Sequence, residues 1–239
     1  MKRLTVTPPA TLTGADRSLG RLAGALHWLA GAQGAWPPRS PSAVQRLVVD
    51  GATTGDLADG LVRADALADG GCDLLVVGAD LDAVPGLVVL AALLDLEPVQ
   101  AVGTTAGPAW SAQVTGVRDG LRAARVHLSD PEALLAVLGS APLAVLTGAL
   151  TQAAVRRTPV VIDGSAVTAA AAVLADRLAP GAAAWFLAGQ VPPSPAARKG
   201  LAEVGLTGLL DLGLALPLGA ELARGVLTAA VEQVGQLAG

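Results

Sequence analysis

Short apolar runs alternate along this chain with longer segments in which apolar side chains return at helical spacing. The runs Arg46–Asp50, Cys72–Gly78, Val99–Val102, Thr158–Ile162 and Ala183–Ala188 predict strands. Cys72–Gly78 and Thr158–Ile162 are apolar on successive positions, without polar alternation. That pattern suits strands buried on both faces of a parallel sheet. Between the runs, Leu22, Leu26 and Leu29 mark a helix over Leu19–Gln33. Further helices are predicted over Asp56–Asp69, from Pro85 to about Leu94, and over Trp110–Arg125, Pro131–Leu138 and Ala141–Arg156. Three more follow: Ser165 to about Leu178, Ala196–Val204, and Leu218–Leu237. Their ends carry local signals. Ser129 or Asp130 can cap the helix that Pro131 opens, and Pro180-Gly181 and Gly205 stop two others.

Strands alternating with helices predict an α/β fold. The arrangement expected is a three-layer, Rossmann-like, mostly parallel sheet with helices on both faces. The Pro-rich stretch Trp36–Ser42 divides it from an N-terminal arm and helix, expected as a flap over residues 1–40, with the α/β domain over 41–239. In open sheets of this class ligands sit in the crevice outside the carboxyl ends of the strands. The loops that begin at Gly78, Gly103, Asp163 and Gly189 are therefore where chemistry is sought.

Composition narrows the reading. Of 239 residues 52% are hydrophobic but only 2% aromatic, so the core must be built from Ala, Val and Leu. A net charge of −4 leaves no general basic footprint for nucleic acid. Mean hydropathy is positive at +0.56. Even so, the most apolar stretch, Leu81–Leu96, is broken or bounded by Asp82, Pro85 and Asp95, so no membrane span is expected. The single cysteine, Cys72, has no internal disulfide partner and reads as a small buried hydrophobe, in keeping with a reducing, cytoplasmic compartment. His27 and His127 lack Cys partners at ligand spacing, so no metal is expected.

Several stretches carry a family resemblance in one order. They are Ser18-Leu19-Gly20-Arg21-Leu22 with Trp28–Gly34 near the start, Asp163-Gly164 at a strand end, and the alanines Ala169–Ala172. Ala188-Gly189-Gln190 and Leu209-Leu210-Asp211-Leu212-Gly213 follow. Together they resemble nicotinate-nucleotide–dimethylbenzimidazole phosphoribosyltransferases, enzymes of cobalamin lower-ligand synthesis. The resemblance implies transfer of phosphoribose from nicotinate mononucleotide to a benzimidazole nitrogen, with no cofactor. Separately, Leu218, Leu222, Val226, Ala229 and Val234 give the terminal helix an apolar face, so a homodimer, or a hetero-oligomer with a full-length homologue, is expected. A glutamate accepts the nitrogen's proton in that family, and glycine-rich loops hold the phosphate. Backbone N–H groups and a helix N-terminus are what phosphate oxygens need.

At the functional points this sequence departs from the family pattern. The family's Gly-Glu-Met-Gly-Ile-Gly-Asn-Thr-Thr loop corresponds here to Gly78–Gly86, of which Gly78 is kept while Asp80 and Asp82 are acidic. Like charges about 5 Å apart cost about 3 kcal/mol at an effective dielectric of about 20. The family's Val-Gly-Arg-Gly-Thr-Gly becomes Val102–Gly107, which keeps Gly103 and offers the hydroxyls of Thr104 and Thr105. That loop also reads as an ordinary strand-to-helix turn. The family's downstream lysine falls near Gly116, with Arg118 and Arg122 close by. A Gly-Asp-His-Gly region of the family has no counterpart between Val49 and Asp56, and the chain is shorter than a typical member.

The family's Gly-Glu-Gly-Thr-Gly segment is matched by Pro217–Glu221, where the carboxylate, Glu221, is displaced. Glu221 is the candidate catalytic base, and it equally suits the first turn of the terminal helix as a dipole partner. The candidate phosphate or nucleotide contacts are Gly78, Gly103, Thr104, Thr105, Asp163, Gly164 and Ser165. Asp163 and Ser165 also suit a strand-end cap and a helix N-cap.

Overall fold

The computed structural model describes residues 4, 6–10, 19–104, 108–214 and 217–238. Four strands, β1 (Val44–Asp50), β2 (Leu74–Asp80), β3 (Val160–Ile162) and β4 (Phe186–Ala188), form one parallel sheet in the order β1-β2-β3-β4. The helices are α1 (Leu22–Gln33), α2 (Leu57–Asp69), α3 (Val84–Leu93), α4 (Pro98–Val102) and α5 (Pro108–Ala124). They continue as α6 (Pro131–Leu138), α7 (Ala141–Val155), α8 (Ala166–Leu178), α9 (Pro195–Glu203) and α10 (Gly219–Ala238).

The strands sort their side chains by parity into two apolar layers. Leu75, Val77 and Ala79 of β2, with Val160 and Ile162 of β3, join the layer built by α3, α7 and α8. Leu74, Val76 and Val161 point the other way, onto α1 and α10. This is why those runs lack polar alternation: both faces are covered. The α/β three-layer architecture is thus as the periodicity indicated.

Small residues set how closely the layers approach. A Cβ added to Gly60 in α2 would lie 2.1 Å from Val145 O, and one on Gly148 in α7 would lie 2.1 Å from Leu57 O. The two helices therefore cross with backbone against backbone. Only glycine allows that approach.

Two expected strands differ. Val99–Val102 belongs to α4 and is a helix. Pro98 at its first position is preset for helix, and Gln100 reaches back to accept the Glu97 N–H at 3.1 Å. Only Ala101 of the segment is fully buried, so no sheet partner competes. In the expected strand Ala183–Ala188, a 3₁₀ turn covers Ala182–Trp185 and the strand proper is Phe186–Ala188. Gly181, at φ +93°, turns the chain into that segment, and Asp176 accepts the N–H groups of Gly181 and Ala183.

Candidate functional site at the carboxyl rim of the sheet

Four predicted site residues meet at the carboxyl ends of β2 and β3: Gly78, Asp163, Gly164 and Ser165. Asp163 organises them. Its Oδ2 accepts the N–H of Ala79 at 2.9 Å, across the strand pair. Its Oδ1 accepts the Ser165 N–H at 2.8 Å and the Thr168 hydroxyl at 2.6 Å. Its own N–H donates to Val77 O. Asp163 is fully buried. One side chain thereby ties β2, β3 and the first turn of α8. Burial pushes its carboxyl above the ordinary value, while the Thr168, Ser165 and Ala79 donors pull the other way.

Ser165 is the N-cap of α8 and is half-buried, its Oγ accepting the Thr168 N–H at 3.3 Å. The start of α8 is also crossed by α3. A Cβ on Gly86 would lie 2.5 Å from Ala166 O and 2.7 Å from Val167 N. Helix backbone thus covers one side of the N-terminus that an anion would use.

Across the rest of the rim the chain packs on itself. Gly78 is buried, with Pro217 over it: an added Cβ would lie 3.0 Å from Pro217 Cβ. Gly164, at φ +78°, lies against Gln190 O, and Gly219 lies against Asp163 O. Gln190, two residues beyond the end of β4, is fully buried. Its amide donates to Leu214 O at 2.9 Å and accepts the Leu214 N–H at 2.8 Å. That two-sided bond fixes the segment leading to α10 against the end of β4.

Gly103 and Thr104 stand beside this group rather than in it. Gly103, at φ +99°, packs on Pro195 at the start of α9, and its carbonyl accepts Trp110 Nε1–H at 2.7 Å. Thr104 is exposed, and Thr105 lies outside the described residues. Asp80 and Asp82 are both exposed at the rim, and Asp82 accepts the Val84 N–H at the start of α3.

Glu221 lies in the first turn of α10, on the face of the sheet occupied by α1 and α10. It is hydrogen-bonded to Arg46 of β1 and to Arg224 at 2.9 Å. The Arg46 contact foremost, then Arg224, holds its carboxyl below the ordinary glutamate value. A carboxylate in that state is a weakened proton acceptor.

Three residues central to this geometry are not among the sequence candidates: Arg46, Thr168 and Gln190, the last of which figures there only as part of the resemblance. Arg46 had a faint signal, as a lone cation inside an apolar strand. Thr168, three residues past Ser165, is a common capping position, and nothing in its spacing announced the bond to Asp163. Among the described residues no group of three or more His, Cys, Asp or Glu side chains is placed to hold a metal ion. No described helix is long and apolar enough to cross a membrane.

Comparison with known proteins agrees with the frame. A family model described as "Phosphoribosyltransferase" matches residues 52–239. The nicotinate-nucleotide–dimethylbenzimidazole phosphoribosyltransferase of Mycobacterium ulcerans (strain Agy99) is 43% identical over 205 residues, which cover 82% of this chain and 56% of the relative. That of Mycobacterium tuberculosis (strain ATCC 25618 / H37Rv) is 42% identical over 194 residues, covering 78% of this chain and 53% of the relative. The chain thus spans about half the length of these curated relatives. Among solved structures, CobT from Thermus thermophilus superposes with a TM-score of 0.78 at 24% identity, covering 94% of this chain and 93% of that one. At that identity the likeness speaks for the fold. With the family model matching most of its length, the chain belongs to the phosphoribosyltransferase family of the nicotinate-nucleotide–dimethylbenzimidazole phosphoribosyltransferases.

Proposed function

We propose that this chain descends from a transferase that moves phosphoribose from nicotinate mononucleotide to a benzimidazole base, and that in this chain the activity is reduced or lost. In the family reaction the glycosidic bond to nicotinate breaks, a bond forms to the benzimidazole nitrogen, and that nitrogen's proton leaves to a base. The observation that carries the proposal is the state of Glu221. It is the candidate base nearest the family's glutamate in sequence, and Arg46 and Arg224 both hold it ionised. Positioned general bases contribute about 10²–10⁴-fold. A carboxylate committed to two guanidiniums forfeits part of that.

The rim supports the same reading. Asp163, Gln190 and Pro217 spend their contacts on the protein itself, and Asp80 and Asp82 oppose a phosphate. What remains is weak binding of nicotinate mononucleotide or a benzimidazole-like base near Gly103, Thr104 and Ser165. Isothermal calorimetry with nicotinate mononucleotide and with 5,6-dimethylbenzimidazole tests this; weak heat from at least one is expected. Heat from neither removes the ligand part of the proposal. It would favour a second reading, a non-catalytic subunit or binding protein on the same fold, for which the self-packed rim is the supporting observation. Glu221→Gln separates the roles further. Any residual turnover should be unchanged by it, whereas a loss of about 10²-fold or more would make Glu221 the working base.

A further inference from the structure

β1 stands at one edge of the sheet, and it is seven residues long like β2, where β3 and β4 have three. Folded proteins keep open edges short, or blunt them with proline, bulges or charge, because unpaired backbone groups invite another strand. β1 has no proline, and its register with β2 runs unbroken from Val44 to Asp50. Asp50 turns its N–H away from β2, to Thr53 Oγ1 at 3.0 Å. Backbone groups alternate sides along a strand, so those of Val48 and Arg46 turn outward too. No described residue bonds them.

The charges on this edge are spaced for a copy of the same strand. A two-fold axis beside Val48 runs a second β1 antiparallel to the first. Val48 then stands opposite its own mate, and Arg46 stands opposite Asp50 of the second copy. Residues directly opposite are close enough for an ion pair. Arg46 gives Nε and Nη2 to Glu221 and keeps Nη1. Asp50 gives Oδ1 to the Ala52 N–H and the Thr53 hydroxyl and keeps Oδ2. Charges that would oppose an arbitrary strand thus attract this one. Val48 is 53% exposed, and Leu218 and Leu222, on either side of Glu221, are half exposed as well. The apolar area therefore continues from β1 onto the start of α10.

We propose that two copies of this chain pair antiparallel through β1, joining their sheets into one, with Val48 at the two-fold axis and Arg46 of each copy against Asp50 of the other. The N–H and C=O of Val48 make the central pair of backbone bonds. On either side, the Arg46 N–H donates to the Asp50 carbonyl across the axis. The contact is closed, because pairing uses the edge of both copies, so assembly stops at two.

The test is sedimentation of the full chain across the micromolar range, with circular dichroism as the check on folding. The parent is expected to be a dimer. Asp50→Lys sets like charges against Arg46 across the axis, and Arg46→Glu sets them against Asp50. Each alone should weaken association about tenfold or more, the scale of two cross-strand pairs turned from attraction to repulsion. Mixed together, the two variants place opposite charges in both pairs again, so the mixture should recover the dimer. Val48→Lys changes an exposed position, leaves the Glu221 contact in place and sets two ammonium groups at the axis. It should fold as the parent does and sediment as a monomer. A parent that is monomeric throughout, a Val48→Lys variant that stays dimeric, or a mixture of folded Asp50→Lys and Arg46→Glu that stays monomeric would each overturn the proposal.

Discussion

At Asp163, burial and hydrogen bonding act in opposite directions on one carboxyl group, and burial prevails. Its folded pKa is raised above the ordinary aspartate value, about 3.9. The folded state therefore holds the proton over a window in which the unfolded chain has lost it. The stability this contributes is full below about pH 3.9 and is lost as pH rises through the folded value. Glu221 has the opposite sign. Its folded value is lowered, so its contribution is present above the ordinary value of about 4.3 and is lost as pH falls through the folded value. Urea unfolding measured against pH should show both limbs. Asp163→Asn should flatten the limb in which stability falls with rising pH, and Glu221→Gln should flatten the acid limb. A parent-like curve in Asp163→Asn would mean that Asp163 titrates alike in both states. Ser165→Ala, which removes the cap of α8, should cost about 1 kcal/mol in the same assay.

At the scale of elements, glycine crossings decide how α2 meets α7 and how α3 meets α8. Gly60→Ala, Gly148→Ala and Gly86→Ala each place a Cβ at 2.1–2.5 Å from backbone oxygen of the facing helix. Each should destabilise by about 1–3 kcal/mol, as overpacking does. Gly24→Ala on the open side of α1 should instead stabilise by a few tenths to about 1 kcal/mol through helix propensity. Chemical denaturation of the four variants checks the contrast, and similar losses at all four would contradict it. The outer face of α10 bears on assembly. Leu218, immediately before α10, and Leu222 are 50% and 47% exposed, whereas Val234 is buried in the layer with α1. If a homodimer forms through this face, Leu218→Ser with Leu222→Ser should shift sedimentation to the monomer. An unchanged sedimentation coefficient in a dimeric protein would place the interface elsewhere.

Across the whole molecule, the frame was legible because burial on both faces writes itself into the runs Cys72–Gly78 and Thr158–Ile162. Val99–Val102 misled, because a four-residue run with three apolar positions, two of them β-branched, fits a strand or a helix turn equally, and Pro98 with Gln100 tipped the balance locally. The gathering of Gly78, Asp163, Gly164 and Ser165 was legible as well, since strand carboxyl ends share a rim. What those groups do there was not. Whether a carboxylate faces a ligand or ties two strands depends on partners distant in sequence: Ala79 lies 84 positions from Asp163, and Arg46 lies 175 from Glu221.

The proposal drawn from the family frame and the engaged rim is that this chain keeps the scaffold while its turnover is reduced or lost. Release of nicotinate from nicotinate mononucleotide in the presence of 5,6-dimethylbenzimidazole, measured beside the Mycobacterium tuberculosis relative at equal concentration, tests it directly. The expected rate is at least about 10²-fold below that of the relative, the loss that goes with an impaired general base. A rate within a few-fold of the relative would contradict the account.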